Sequence, residues 1–167
     1  MDIQNILVPI DYSLDSQRAL HWGASLAEKY GATLMLLHVI PHAVEEVYPE
    51  GTGSMTPTPT YYEVRAPGIW AKHPLIIDLV DTADTELRDL AGKHLKDAVP
   101  VQVKVAVGKP TEEILRVARE EKVDLIIMGT HGRTGVRHLL LGSVAEAVTR
   151  RASCPVFTVR VGLQAVA

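Results

Sequence analysis

Apolar residues fall along this chain in two rhythms: short near-continuous runs, and longer stretches in which they recur every three or four positions. The first run, Ile3 to Ile10 with Ile6-Leu7-Val8 at its centre, has the character of a strand covered on both faces of a parallel sheet. Ala19, Leu20, Ala24, Leu26, Ala27 and Tyr30 then repeat at helical spacing. Ser13 stands where an N-cap belongs and Gly31 where a C′ glycine ends a helix. A second buried run, Thr33 to Val39, completes a strand–helix–strand unit, the parallel crossover.

The rhythm lapses between about residues 41 and 74, which hold six of the ten prolines, together with Tyr48, Tyr61, Tyr62 and Trp70, half of the eight aromatic residues. An irregular stretch of this length is either a functional lid or arm, or disordered. From Leu75 to Leu95 the helical period returns. Val101 to Val107 alternates strictly, as an edge strand with one partly wet face does. Gly108-Lys109-Pro110-Thr111-Glu112-Glu113 opens another helix, with proline early and two acids in its first turn. Val123 to Met128 reads as the fourth strand, Ser143 to Arg151 as a helix and Pro155 to Val159 as the last strand. Strict alternation of this kind predicts an α/β fold: one domain over residues 1–167, an open five-stranded parallel sheet, Rossmann-like, in the order 3-2-1-4-5 with helices on both faces. Strands one and four then meet where the winding reverses, and ligands bind at that crevice.

Composition narrows the function classes. With 167 residues, 47% apolar and a net charge of −3, the chain has no basic field to gather nucleic acid or an anionic membrane. Cys154 is the only cysteine, which excludes an internal disulfide and cysteine-based zinc cages and suits a reducing compartment. The start, Met1-Asp2-Ile3-Gln4-Asn5, lacks a basic, apolar leader, and no run reaches the length of a membrane span. The expectation is a cytoplasmic protein.

Candidate chemistry concentrates after the fourth strand, in Gly129-Thr130-His131-Gly132-Arg133-Thr134-Gly135 and onward to Leu141-Gly142-Ser143-Val144. Glycines admit positive φ and close approach of a ligand. The helix that Gly142 opens has first-turn amides around Ser143 and Val144 that can hold an anion. Arg133, Arg137 and His138 add positive charge. Ser143-Val144-Ala145-Glu146 is equally a capping box that needs no ligand. Asp11 can bind ribose or a phosphate-borne metal, or form a turn or cap. His131 can meet phosphate or act as a base, or lie in solvent. His38 and His42 straddle a strand end and so lack the helical geometry of a metal pair. Cys154 reads as a small buried hydrophobe. The P-loop and the dinucleotide fingerprint are both missing.

Gly129, Gly132, Gly142 and Ser143 form the pattern Gly, two residues, Gly, nine residues, Gly, Ser. On that pattern the chain resembles the universal stress protein family, in particular its ATP-binding branch. Val8-Pro9-Ile10-Asp11, His38-Val39, Gly108-Lys109-Pro110 and Ser153-Cys154-Pro155-Val156 agree with it. The resemblance implies an adenine pocket near the Val39 backbone and contacts to ribose and base around Pro9 and Asp11. It also implies triphosphate on the loop from Met128 through Gly129, His131, Gly132 and Arg133 to Gly142, Ser143 and Val144. Magnesium or manganese would arrive on the phosphates, and a homodimer would form through the strand at 155–160, an apolar edge that invites pairing. Three functions stay open: a regulatory ATP-binding protein of the stress response with at most slow hydrolysis, a low-turnover ATPase or nucleotidyl-transfer enzyme, and a nucleotide-independent interaction module.

Overall fold

The computed structural model describes residues 2–41, 74–95, 99–131 and 141–160. The proline-rich stretch expected at 41–74 therefore lies, but for its ends, outside the described residues. The order of elements is β1 (Asn5–Pro9), α1 (Leu14–Tyr30), β2 (Thr33–Ile40), α2 (Pro74–His94), β3 (Val101–Val107), α3 (Pro110–Glu120), β4 (Leu125–Gly129), α4 (Ser143–Arg151) and β5 (Val156–Val159). The strands form one parallel sheet in the order β3-β2-β1-β4-β5, as the alternation predicts.

The pleat divides the core into two layers. Ile6, Val8, Leu34, Leu36 and Ile127 point to one side, where Ala19, Leu20 and Ala27 of α1 and Leu87 and Ala91 of α2 cover them. Their neighbours Leu7, Met35, Leu37, Ile126 and Met128 point to the other, under Ile114, Leu115 and Val117 of α3 and Val148 of α4. Burial on both faces explains why the central strands read as unbroken apolar runs.

Local chemistry sets the ends of the elements. Ser13 caps α1, accepting from the Ser16 N–H at 3.2 Å, and Gly31 ends it in the left-handed region at φ +65°, both as expected. β1 begins later than predicted because the Gln4 and Asn5 amides turn to the Asp124 carboxylate, each at 2.9 Å. β4 is also shifted. Val123 N–H returns to the Ala118 carbonyl at 2.9 Å and Lys122 takes a positive φ of 51°, so residues 122–123 belong to the turn that closes α3.

The capping box is not formed. Ser143 is the first residue of α4, and the N-cap is Gly142, at φ −72° and ψ 158°, with no side-chain cap. The reason is tertiary: the Gly142 N–H donates to the Thr130 carbonyl at 2.7 Å. A Cβ on Gly142 would stand 3.0 Å from that oxygen. The chain is pinned one residue before the serine.

Candidate functional site

At the carboxyl ends of β1 and β4, where the winding reverses, the sheet opens into a cavity of about 360 Å³, within the range of small-molecule sites. Pro9, Asp11, Val39, Met128, Gly129, His131, Gly142, Ser143 and Val144 all line it, so nine predicted site residues from four separate stretches come together. Gly132 and Arg133 lie outside the described residues. Leu37, Val39, Ile114 and Met128 form an apolar section of the wall. Facing it is the start of α4, whose first-turn amides at Ser143, Val144 and Ala145 have no side chain capping them.

Asp11 is held in a turn: both of its described hydrogen bonds fall on Oδ1, from the Ser13 N–H at 3.0 Å and the Ser13 hydroxyl at 2.6 Å. The turn-forming alternative is thus realised, and Asp11 lines the cavity as well. Tyr12, next to it, takes a positive φ of 64°, which lays its ring 4.9 Å from that of His38. His38 Nδ1 lies 2.7 Å from the Ile10 carbonyl, tying the ends of β1 and β2 into one floor.

Gly129 has a packing purpose besides lining the cavity. Its φ is not positive. A Cβ there would come within 2.7 Å of Asp15 Cβ, 2.8 Å of Asp15 C and 2.9 Å of Ser16 N. The glycine lets the first turn of α1 press on the end of β4.

That contact brings in residues the sequence reading missed. Asp15 and Thr130 are buried, and Asp15 Oδ2 accepts from the Thr130 hydroxyl at 2.9 Å and from the His131 N–H at 3.0 Å. His131 is correspondingly not a solvent-exposed side chain: 14% of it is accessible, and its Nδ1 is 3.0 Å from Thr130 Oγ1 and 3.5 Å from Asp15 Oδ2. A signal for Asp15 was available. The buried stripe Ala19, Leu20, Gly23 and Ala27, carried back one turn, lands on Asp15 and Ser16. Ile10, Ser16, Pro41, Pro110 and Ala145 also line the cavity, though the sequence did not assign them to the site.

Away from the cavity, Cys154 is only partly buried, and that burial pushes its thiol above the ordinary range. Among the described residues, no helix is long and apolar enough to cross a membrane.

Known proteins share this architecture. The family model described as "Universal stress protein family" matches residues 2–160. Universal stress protein MJ0531 of Methanocaldococcus jannaschii is 30% identical over 158 residues, 94% of this chain and 82% of that protein. MJ0577 from the same organism is 30% identical over 164 residues, 94% of each. Its solved structure superposes with a TM-score of 0.68, covering 98% of this chain and all of that one. A universal stress protein of Archaeoglobus fulgidus, solved in complex with dAMP, shares the fold at 20% identity and a TM-score of 0.59, covering 95% and 99% of the two chains. The chain belongs to the universal stress protein family.

Proposed function

We propose that this chain is a regulatory nucleotide-binding protein of the stress response that takes ATP in the crevice between β1 and β4. The observation that carries this reading is the pairing, in one cavity, of an apolar wall with an uncapped helix N-terminus. A flat heterocycle suits the wall of Leu37, Val39, Ile114 and Met128. An anion suits the start of α4, where amide donors and the positive end of the helix dipole coincide. The Archaeoglobus fulgidus relative, which holds the adenine nucleotide dAMP on the same fold, supports the choice of base.

In this reading Pro9, Asp11 and Val39 contact base and ribose. The phosphates lie along Met128, Gly129, His131, Gly132, Arg133, Gly142, Ser143 and Val144. Ser143 as first helical residue, rather than as N-cap, directs both its amide and its hydroxyl to this task. A magnesium or manganese ion carried by the phosphates would neutralise their charge, and Asp11 is the carboxylate closest in role to such an ion. Hydrolysis, which needs a positioned water and in-line geometry, is slow at most in this reading. The protein acts in the cytoplasm as one domain and pairs with a second copy through residues 155–160.

Calorimetric titration of nucleotide-free protein with ATP and magnesium tests the reading. At least micromolar affinity is expected, about −8 kcal/mol, with a marked loss in Gly132→Ala and a smaller one in Ser143→Ala. Absence of both binding heat and thermal shift in the wild type would sink it.

A further inference from the structure

Thr130 and His131 lie at the root of the glycine loop, and the buried Asp15 reaches them from α1. The His131 main-chain N–H can only donate, so Asp15 Oδ2, 3.0 Å away, is present as an acceptor. The Thr130 hydroxyl has one proton, and that proton is given to the same Oδ2 at 2.9 Å. Thr130 Oγ1 therefore has only lone pairs to offer to His131 Nδ1, 3.0 Å away. Nδ1 must carry a hydrogen for this contact to be a bond. The nearby carboxylate, 3.5 Å from Nδ1, favours the same arrangement.

We propose that Asp15 is a positioning residue of the pocket: through Thr130 it fixes His131 in the form protonated on Nδ1, which makes Nε2 the acceptor atom of the neutral ring. An imidazole free in water prefers the opposite form, with the proton on Nε2, so the relay imposes a definite chemical state. Beside the phosphates, a neutral ring in this form meets a phosphate-borne metal's water or a sugar hydroxyl as an acceptor and does not donate to a phosphate oxygen. The role toward the ligand rests on the nucleotide reading; the state of the ring does not.

Nitrogen NMR of histidine-labelled, nucleotide-free protein at about pH 8, above the ordinary imidazole range, reads that state directly. His131→Gln identifies the signal. The wild type should show a protonated nitrogen at Nδ1 and an unprotonated one at Nε2. Thr130→Ser, which keeps a hydroxyl, should retain the pattern. Thr130→Val removes the relay. Asp15→Ala takes away the acceptor and leaves the threonine proton to turn toward Nδ1. Both should move the ring to the Nε2-protonated form, with circular dichroism confirming that they fold. A wild-type ring already protonated on Nε2, or one unmoved in both variants, would overturn the assignment. Titration with magnesium and ATP should show about five- to tenfold weaker binding in Asp15→Ala, the loss of one hydrogen bond. A switched ring with undiminished affinity would overturn the positioning role. If the wild type binds no ATP, the nucleotide reading falls, and the NMR result alone decides the ring assignment.

Discussion

At the scale of the residue, Gly129 illustrates how two demands can produce one amino acid. A glycine at a strand end before a helix suggests a ligand brought close to backbone, yet here the space is taken by Asp15 and Ser16. Because the neighbours include backbone atoms of a helix, an added methyl cannot be absorbed by a side-chain rotation. Gly129→Ala should therefore destabilise the fold by about 1–3 kcal/mol, the usual cost of overpacking, measured by urea unfolding without any nucleotide. A variant as stable as the wild type would show that α1 can shift at little cost. Asp15 escaped the sequence reading for a related reason. An acid in the first turn of a helix is already accounted for by the dipole, and local sense conceals a tertiary partner over a hundred residues away. Ser143 erred the other way: its capping motif is complete in sequence, but the bond from Gly142 to Thr130 fixes the helix start one residue earlier.

At the scale of the element, the boundaries that were legible are those set by local chemistry. Ser13 and Gly31 delimit α1 where their types place them, and Pro110, Glu112 and Glu113 mark the start of α3 in the same way. The boundary of β1 depends on Asp124, whose carboxylate takes the Gln4 and Asn5 amides, and that of β4 on the turn at Lys122 and Val123; no periodicity encodes such contacts. Gly31 and Gly23 separate conformation from packing within a single helix. At Gly31 a Cβ would meet nothing, but φ is +65°, so Gly31→Ala should cost about 1 kcal/mol through backbone strain alone. Gly31→Asn, better tolerated in that region, should recover part of it in thermal unfolding. Gly23 is instead a packing glycine, with Val8 Cγ2 at 2.7 Å and Leu34 Cδ1 at 3.0 Å from a Cβ placed there.

At the scale of the whole molecule, strand order was legible because burial on two faces and alternation on one distinguish central strands from edges. β5 is an edge in that order. The carbonyls of Pro155 and Val159 accept from Ile126 and Thr130 of the β4 side, so by alternation Val156 and Thr158 present their main-chain groups to the open edge. The exposed aromatic pair Trp22 and Phe157, with ring centroids 5.7 Å apart, stands beside it. Thr158→Pro removes an outward amide and spares the ladder to β4. If two copies pair through this strand, the wild type should sediment as a dimer at micromolar concentration and the proline variant as a folded monomer. A monomeric wild type would refute the pairing.

The bond from Gly142 N–H to the Thr130 carbonyl, 2.7 Å long, has a meaning beyond the register of α4. It ties together the two ends of the segment between them, so the entropy of closing that segment is spent when the protein folds and not when a ligand arrives. Closure entropy grows only with the logarithm of length: doubling such a segment adds about 0.6 kcal/mol. By that measure, a change in the number of residues between the two anchors is expected to cost the sheet beneath well under about 1 kcal/mol. The tie makes the length of the segment a matter of small consequence to the fold, whatever it means to a ligand.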